Sequence, residues 1–234
     1  MKIEDLKRGL YVSCQALPED PLYGCMGKMA SAAESGGAVG VRINTVKDIK
    51  EVKNIVSIPI IGLIKKRYQG SNAYITPTIN EVEEVAEAGA DIVAVDATNE
   101  LKPDGKNTHE FITDIKKRFD VLVMADISSV EDGINAWNSG ADILATTLSS
   151  SKPGKMPTTG DRIHKMPDFN LIQELVKQVT IPVFGEGGFW GGEDTVQAFE
   201  IGAHSVVVGS AITRPQVTTN RISTAIQDFL CSTK

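Results

Sequence analysis

Eight short apolar runs, each followed by a longer polar or amphipathic stretch, constrain the fold of this chain more than any other feature of its sequence. The runs lie at residues 10–16, 37–44, 58–64, 90–97, 120–127, 141–147, 181–187 and 203–210. Stretches with helical periodicity lie between many of them, at 45–56, 78–89, 108–119, 129–140, 168–179 and 193–202. This alternation predicts repeated βα units and a parallel sheet.

One short phrase recurs where a predicted helix meets the next strand. It reads AGAD at 88–91, SGAD at 139–142 and IGAH at 201–204. Glycine ends a helix in a left-handed conformation, and the small alanine after it lets the strand tuck under the sheet. Eight such units close most simply into a (β/α)8 barrel, here a single catalytic domain over residues 1–234. A doubly wound open sheet is the alternative, but it favours about six strands and a GxGxxG turn after the first one.

Charge and hydropathy narrow the classes of partner. The formal net charge is -6, so Lys and Arg are not in the excess that binding to nucleic acid requires. The first residues, MKIEDLKRGLYVSC, contain no signal-peptide core, and no run of about 18 apolar residues occurs. These features predict a soluble cytoplasmic protein, without a membrane or nucleic-acid partner, that binds small molecules or other protein chains.

The cysteines and histidines do not form a recognisable metal or disulfide pattern. Cys14, Cys25 and Cys231 lack CxxC spacing, and His109, His164 and His204 lack HxxxH spacing. We expect reduced thiols and no metal site. Cys14 should face the helices as a small core residue rather than act as a nucleophile.

Polar residues stand at or near the end of seven predicted strands. Each shares its inward or outward direction with the residue two positions earlier, and those earlier residues are small or apolar, as a barrel interior requires. A single polar strand end is as easily explained by solvation, but seven at similar depth indicate a site, because active sites of barrels lie at the carboxyl ends of the strands. The seven are Gln15, Arg42, Lys65, Asp96, Asp126, Thr147 and Glu186.

The chain after the last two strands predicts a phosphate site. It reads GEGGFWGG at 185–192 and VVVGSAITRP at 206–215. Barrels that bind phosphorylated substrates commonly use backbone N–H groups of these two loops, although glycines also make ordinary turns. The candidate ligands are Gly187, Gly188, Gly209, Ser210 and Arg214.

An ordered set of motifs resembles the N-acylglucosamine-6-phosphate 2-epimerase family, also called the N-acetylmannosamine-6-phosphate 2-epimerases. No single motif is decisive, but together they cover nearly the whole chain in the family's order. They are VSCQAL (12–17), GVRIN (40–44), PIIGLIK (59–65), YITPTINEVEEVAEAGADIVAVDAT (74–98), VMADIS (123–128), TTLS (146–149), GEG (185–187) and VVVGSAITRP (206–215).

This resemblance implies a (β/α)8 barrel, a homodimer, that interconverts N-acetylmannosamine 6-phosphate and N-acetylglucosamine 6-phosphate without a cofactor in sialic acid and amino-sugar catabolism. The family's catalytic lysine and glutamate fall on Lys65 and Glu186. Its substrate-binding residues fall on Gln15, Arg42 and Asp126 and on the phosphate loops, and we add Thr147 from its place at the sixth strand.

Two segments depart from the family pattern. GEGGFWGGE at 185–193 replaces a common AEGR and adds Phe189 and Trp190, and TTLSSSK continues into a long loop over 149–166. Trp190 either shields the sugar from water or anchors an interface. Trp137 lies in a predicted amphipathic helix and should serve packing. The sequence pattern therefore does not specify which residues of these two segments contact the phosphate.

Inversion at C2 of a 2-acylamino sugar needs an opened ring, a base, an acid and a group that stabilises an oxyanion. Lys65 suits the base, Arg42 and Asp126 suit contacts to hydroxyl and N-acetyl groups, and Asp96 would only brace a cation. Desolvation and Arg42 favour the neutral amine of Lys65, whereas Glu186 favours its charged form. Lys66 and Arg67 should face solvent or a partner subunit.

Three other functions fit the same residues. Lys65 would form a Schiff base in a class I aldolase or lyase. A pentulose-phosphate 3-epimerase shares the scaffold, but it usually needs metal-binding histidines that this chain does not provide. A barrel that binds phosphosugars without turnover is the third.

Overall fold

The structure is a computed structural model and describes residues 1–149 and 165–232. Eight parallel strands form a closed barrel in sequence order, and β8 pairs with β1 through Val207 and Tyr11. The predicted (β/α)8 fold is therefore confirmed. The strands are β1 (Leu10–Cys14), β2 (Gly40–Asn44), β3 (Ile60–Leu63), β4 (Ile92–Asp96), β5 (Leu122–Asp126), β6 (Ile143–Ala145), β7 (Val183–Glu186) and β8 (Ser205–Val208).

Helices on the outside of the barrel connect these strands. All but the last begin after a strand's carboxyl end, as right-handed βα crossovers require. They are α1 (Met26–Ser35), α2 (Val46–Lys53), α3 (Ile79–Glu87), α4 (Thr108–Arg118), α5 (Val130–Asn138), α6 (Phe169–Gln178), α7 (Gly192–Glu200), α8 (Ser210–Thr213) and α9 (Pro215–Ser232).

Capping side chains fix where several of these helices begin. Asn107 Oδ1 accepts from Glu110 N at 2.9 Å, and Glu110 Oε2 accepts from Asn107 N at 3.0 Å, a reciprocal capping box. Asp168 Oδ1 accepts from Leu171 N at 3.0 Å at the start of α6. The polar residue in front of each apolar helix face thus satisfies an N–H group that the helix cannot.

The apolar residues divide into an inner cluster and an outer shell. Tyr11, Leu63, Met124 and Phe184 are among the buried residues inside the barrel. Cys14, by contrast, packs among residues of the outer shell, and burial raises the pKa of its thiol to about 12. Its predicted place as a core residue facing the helices is confirmed.

The strands are shorter than predicted, and this moves three site residues off the strands. Gln15 and Lys65 follow β1 and β3, and Thr147 lies in a 3-10 turn, Thr146–Leu148, rather than in β6. The helix over Met26–Ser35 is not among those that the sequence pattern predicts, because its apolar residues are mostly small and weakly periodic. Most of the predicted long loop, residues 150–164 with His164, lies outside the described residues. Among the described residues, no helix is long and apolar enough to span a membrane.

Packing inside the barrel requires a residue without a side chain at position 40, next to Tyr11. Gly40 faces Tyr11, and a Cβ at position 40 would lie 2.1 Å from a carbon of the Tyr11 ring. That ring is fully buried and packs 5.0 Å, centroid to centroid, from Phe184. The aromatic ring therefore has no space into which to retreat.

We expect Gly40→Ala to lower the free energy of unfolding by about 1–3 kcal/mol, as overpacking of a filled core does. Chemical denaturation monitored by circular dichroism measures this. Gly192→Ala is the matched control, because nothing lies within 4 Å of a Cβ at that position. Equal stability of the two variants would contradict the packing argument.

Candidate active site

A cavity opens at the carboxyl ends of the strands and brings together most of the predicted site residues. The space in it that water-sized molecules can occupy is about 130 Å³. The predicted residues that line it are Gln15, Arg42, Lys65, Thr147, Glu186, Gly187, Gly188, Gly209, Ser210 and Arg214. Asp126 lies directly beneath, bonded to Arg42.

Arg42 is the centre of a buried ionic cluster. Its Nη1 and Nη2 donate to the two carboxylate oxygens of Asp126 at 2.9 and 2.5 Å, a bidentate pair. Nη1 also donates to Glu186 Oε2. The Thr147 hydroxyl lies 2.6 Å from Asp126 Oδ1 and 3.1 Å from Glu186 Oε2. One guanidinium therefore joins two carboxylates from strands on the far side of the barrel.

Burial and charge set the protonation of this cluster. Burial lowers the pKa of Arg42, but the charges of Asp126 and Glu186 more than offset it, so the pKa is raised and the guanidinium stays charged. Burial, helped by the charge of Asp126, raises the pKa of Glu186 above its usual value, against the opposing effects of Arg42, Thr147 and Lys65. Glu186 therefore binds a proton at higher pH than an exposed glutamate does.

Lys65 is held by its backbone at the cavity wall. Its N–H donates to Asn44 Oδ1 at 3.0 Å, and it forms an antiparallel bridge with Ile75. Thr76 N donates to Ile64 O at 2.7 Å, and Thr76 has a positive φ of 45°, which threonine rarely adopts. This strained turn folds residues 74–76 back along the end of β3, so the backbone of Lys65 is held on both sides.

The two cations after Lys65 point elsewhere. Lys66 is 53% exposed, and its Nζ donates to the buried carboxylate of Glu81 at 2.8 Å. The Arg67 guanidinium lies 5.9 Å from the centre of the Tyr74 ring. Their predicted exposure is confirmed, since both are exposed, but Lys66 also ties the loop to the first turn of α3. Lys65 alone of the three lines the cavity.

Asp96 lies on the inward face of β4 with Ile92 and Ala94, as predicted, but it is not among the residues that line the cavity. Its carboxylate accepts from the Thr98 hydroxyl at 2.7 Å and from Tyr74 N at 3.3 Å. Burial raises its pKa, and the charge of Lys102, itself 2% exposed, opposes that rise. Asp96 therefore supports the chain around Tyr74.

Arg214, a predicted phosphate ligand, is buried at the edge of the cavity. It lies between α8 and α9, is 6% exposed, and donates to Gln15 O at 2.6 Å and to Asp20 Oδ2 at 3.3 Å. Its guanidinium still lines the cavity. A carboxylate already offsets its charge, because Asp20 forms an ion pair with it.

The cavity also contains residues that the sequence analysis missed. Ser13 accepts from Gln15 Nε2 at 2.8 Å, and it shares the inward direction of Gln15, so the period of two was a usable signal. Tyr74 and Lys165 come from connecting segments and gave no such signal. Trp190 lines the cavity as well, which favours its shielding role.

Two polar side-chain atoms at the wall of the cavity are fully buried. Within the described part of the chain, Gln15 Oε1 and Arg42 Nε are buried without a hydrogen-bond partner. Such atoms cost free energy unless a ligand or water satisfies them, so they mark binding positions. Among residues 1–149 and 165–232, no group of three or more His, Cys, Asp or Glu side chains is placed to hold a metal ion.

Comparison with known sequences identifies a family that this chain resembles along most of its length. A family model, NanE, described as "Putative N-acetylmannosamine-6-phosphate epimerase", matches residues 26–228. A protein of Caldanaerobacter subterraneus subsp. tengcongensis is 50% identical over 97% of this chain and 94% of its own length. One from Clostridioides difficile is 45% identical over 96% and 99%. Both bear the name "Putative N-acetylmannosamine-6-phosphate 2-epimerase".

Solved structures give the same result. The N-acetylmannosamine-6-phosphate 2-epimerase of Clostridium perfringens superposes with a TM-score of 0.86 at 42% identity, covering 95% of each chain. A thiamine phosphate pyrophosphorylase of Pyrococcus furiosus, at 17% identity and a TM-score of 0.58, shares the fold alone. The chain belongs to the N-acetylmannosamine-6-phosphate epimerase family.

Proposed function

We propose that this chain interconverts N-acetylmannosamine 6-phosphate and N-acetylglucosamine 6-phosphate, without a cofactor, in sialic acid and amino-sugar catabolism. The observation that carries the proposal is one cavity holding Lys65 and Glu186 beside the Arg42–Asp126 pair, in a member of this family. Residues 1–234 form one catalytic domain in this proposal. It works in the cytoplasm, since a sugar phosphate carries charge that a bilayer excludes.

Lys65 is the base that acts on C2. After the ring opens, the C1 aldehyde acidifies the C2–H bond, and the neutral amine of Lys65 takes that proton to give an ammonium group and an enolate. The enolate then rotates about its C2–C3 bond, so the Lys65 ammonium returns the proton to the opposite face of C2, which gives the epimer and restores the neutral amine. The Arg42 guanidinium lies in the same cavity as Lys65 and stays charged at every pH of interest, so it stabilises the developing oxyanion.

Glu186 moves the proton that ring opening and closure require. Its raised pKa lets it carry a proton at a pH where an exposed glutamate would be ionised. Its side chain is 12% exposed, whereas Arg42 and Asp126 are 1% and 0% exposed, so of these three it is the one a substrate reaches most directly. Thr147, bonded to both carboxylates, fixes its direction.

The remaining predicted residues bind the substrate. Gln15 Oε1 and Arg42 Nε accept from and donate to the sugar's hydroxyl and N-acetyl groups, while Asp126 holds Arg42 in place. The backbone at Gly187, Gly188, Gly209 and Ser210 contacts the phosphate, with Arg214 adding positive charge at the same end of the cavity. Close approach of the oxygens is possible because the glycines present no side chain.

A homodimer forms through α9 in this proposal. Most of this helix is exposed, Val217 being its buried residue. Its exposed apolar side chains lie at spacings of three and four residues, on one face. They are Ile222, Ile226, Phe229 and Leu230, from 55% to 65% exposed. A second copy of the chain is the partner that would bury the same stripe on both subunits.

We expect Lys65→Ala to remove epimerisation, by about a thousandfold or more, because it deletes the base while leaving the fold intact. A proton NMR time course with N-acetylmannosamine 6-phosphate in D₂O measures both the epimer and deuterium entry at C2. Lys66→Ala, one residue on, is the control and should retain C2 exchange. Persistent exchange in Lys65→Ala would remove Lys65 from the chemical step.

Borohydride separates this mechanism from an aldolase or lyase. An enolate mechanism leaves no imine, so reduction in the presence of the phosphosugar should leave the mass of the protein unchanged. A covalent adduct on Lys65 would favour Schiff-base chemistry instead.

The raised pKa of Glu186 predicts a pH-dependent effect of Glu186→Gln on stability. A raised folded-state pKa means that folding favours the neutral acid, so this contribution to stability is complete below the unfolded pKa and is lost as pH rises through the folded pKa. Glutamine stays neutral throughout. The melting temperature of Glu186→Gln relative to the wild type should therefore increase from pH 4.5 to pH 8, as differential scanning fluorimetry would show.

Glu174→Gln serves as the control for that experiment, since Glu174 is exposed and pairs with Lys177 on the same helix. Its melting temperature relative to the wild type should change little over the same range. A flat difference for Glu186→Gln as well would contradict the raised pKa of Glu186.

Ile226→Glu with Phe229→Glu should convert a dimer into a monomer of 25.1 kDa, because two charges in the stripe cannot be desolvated by the partner. Light scattering after size exclusion gives the masses. Thr224→Glu, on the opposite face of α9, should remain dimeric. A monomeric wild type would overturn the dimer, and a dimeric double variant would exclude this helix face.

A further inference from the structure

Lys165 is a cation that enters the cavity from the segment before α6. A Cβ on Gly187 would lie 2.7 Å from Lys165 Nζ, so the ammonium group stands directly over the backbone of that glycine. Nζ also donates to Thr147 O at 3.3 Å. It thus lies at the start of the loop after β7, beside the turn that carries Thr147.

The position of Lys165 matters because carboxylates already pair with both arginines of the cavity. Arg42 is paired with both Asp126 and Glu186, and Arg214 is paired with Asp20. Both arginines are thus already partly or fully offset by carboxylates. A phosphate monoester carries nearly two negative charges at neutral pH, so it requires positive charge beyond what these two pairs supply.

Neighbouring residues hold the Lys165 segment against the loop after β7. Trp190 Nε1 donates to Lys165 O at 3.2 Å. Gly188 has a φ of +83°, and a Cβ there would lie 2.3 Å from Met166 C, so only glycine allows the two segments to pack this closely. The Arg221 guanidinium, on α9, lies 4.3 Å from the centre of the Trp190 ring. Lys165 is therefore placed by specific contacts on both segments.

We propose that Lys165 is a phosphate-binding residue that contributes a cation to the 6-phosphate of the substrate. This inference rests on the proposed function and deepens it, since it assigns the residue that distinguishes a phosphorylated sugar from the free sugar. The backbone N–H groups of the loop after β7 contact the phosphate oxygens from one side, and the ammonium group of Lys165 contacts them from above Gly187. The alternative is that Lys165 only ties its own segment to Thr147 O.

Lys165→Met tests the assignment, since methionine keeps much of the length and loses the charge. A lost charge-assisted hydrogen bond corresponds to about a tenfold to hundredfold weaker interaction. We expect KM for N-acetylmannosamine 6-phosphate to rise by about that factor, with kcat changed by less than about threefold. Affinity for inorganic phosphate, measured by titration calorimetry, should fall by a similar factor, and Lys165→Arg should restore most of both.

Two controls separate binding from structure. Lys177→Met removes an exposed lysine from α6 that pairs with Glu174, and it should leave both measurements unchanged. Unphosphorylated N-acetylmannosamine should be turned over equally slowly by the wild type and by Lys165→Met. A loss of turnover of the free sugar that matches the loss with the phosphosugar would overturn the proposal and indicate a structural role.

The calorimetry also distinguishes failure of this inference from failure of the proposed function. A wild type that binds phosphate but does not epimerise the sugar phosphate overturns the function, while weaker phosphate binding by Lys165→Met still supports Lys165. Equal phosphate affinity in the wild type and Lys165→Met overturns the assignment whatever the enzyme's activity, as does a wild type that does not bind phosphate.

Discussion

The guanidinium of Arg42, 1% exposed inside the mouth of the barrel, is tolerated only because carboxylates from two other strands meet it there. Removal of water from a charge of this kind costs several kcal/mol, and breaking a buried pair costs about 3–5 kcal/mol. The bidentate bond to Asp126 and the bond to Glu186 therefore join β2, β5 and β7 across the interior. The rest of the site is arranged around this link.

The two carboxylates of this cluster, Asp126 and Glu186, differ in exposure and in how they bind Arg42. Asp126 is fully buried and bonded through both oxygens, whereas Glu186 retains some exposure and shares one nitrogen of Arg42. Two carboxylates beside one guanidinium give the cluster one uncompensated negative charge when both are ionised. Burial raises the free energy of that charged state. The result is a raised pKa for Glu186, while Asp126 holds Arg42 through both of its carboxylate oxygens.

Lys65 depends on a different set of constraints, local to the end of β3. Asn44 and the strained Thr76 hold its backbone, while Asp96 supports the neighbouring Tyr74 from the next strand. Lys66 binds Glu81 on the outer side of the loop. Lys65 and Lys66 are adjacent in the chain, yet Lys65 lines the cavity and Lys66 binds Glu81 outside it. Backbone geometry rather than residue type therefore separates the two cations.

The sequence by itself determined the barrel, the inward direction of most strand-end residues and the buried role of Cys14, because the period of two and the alternation of strand and helix are local properties. It did not determine that Asp96 accepts from Tyr74 N, that Asp20 pairs with Arg214, or that Lys165 stands over Gly187. Each of these contacts joins residues that lie far apart in the chain. Only the closed barrel decides them, because it sets the stagger of its strands and the paths of the connecting segments.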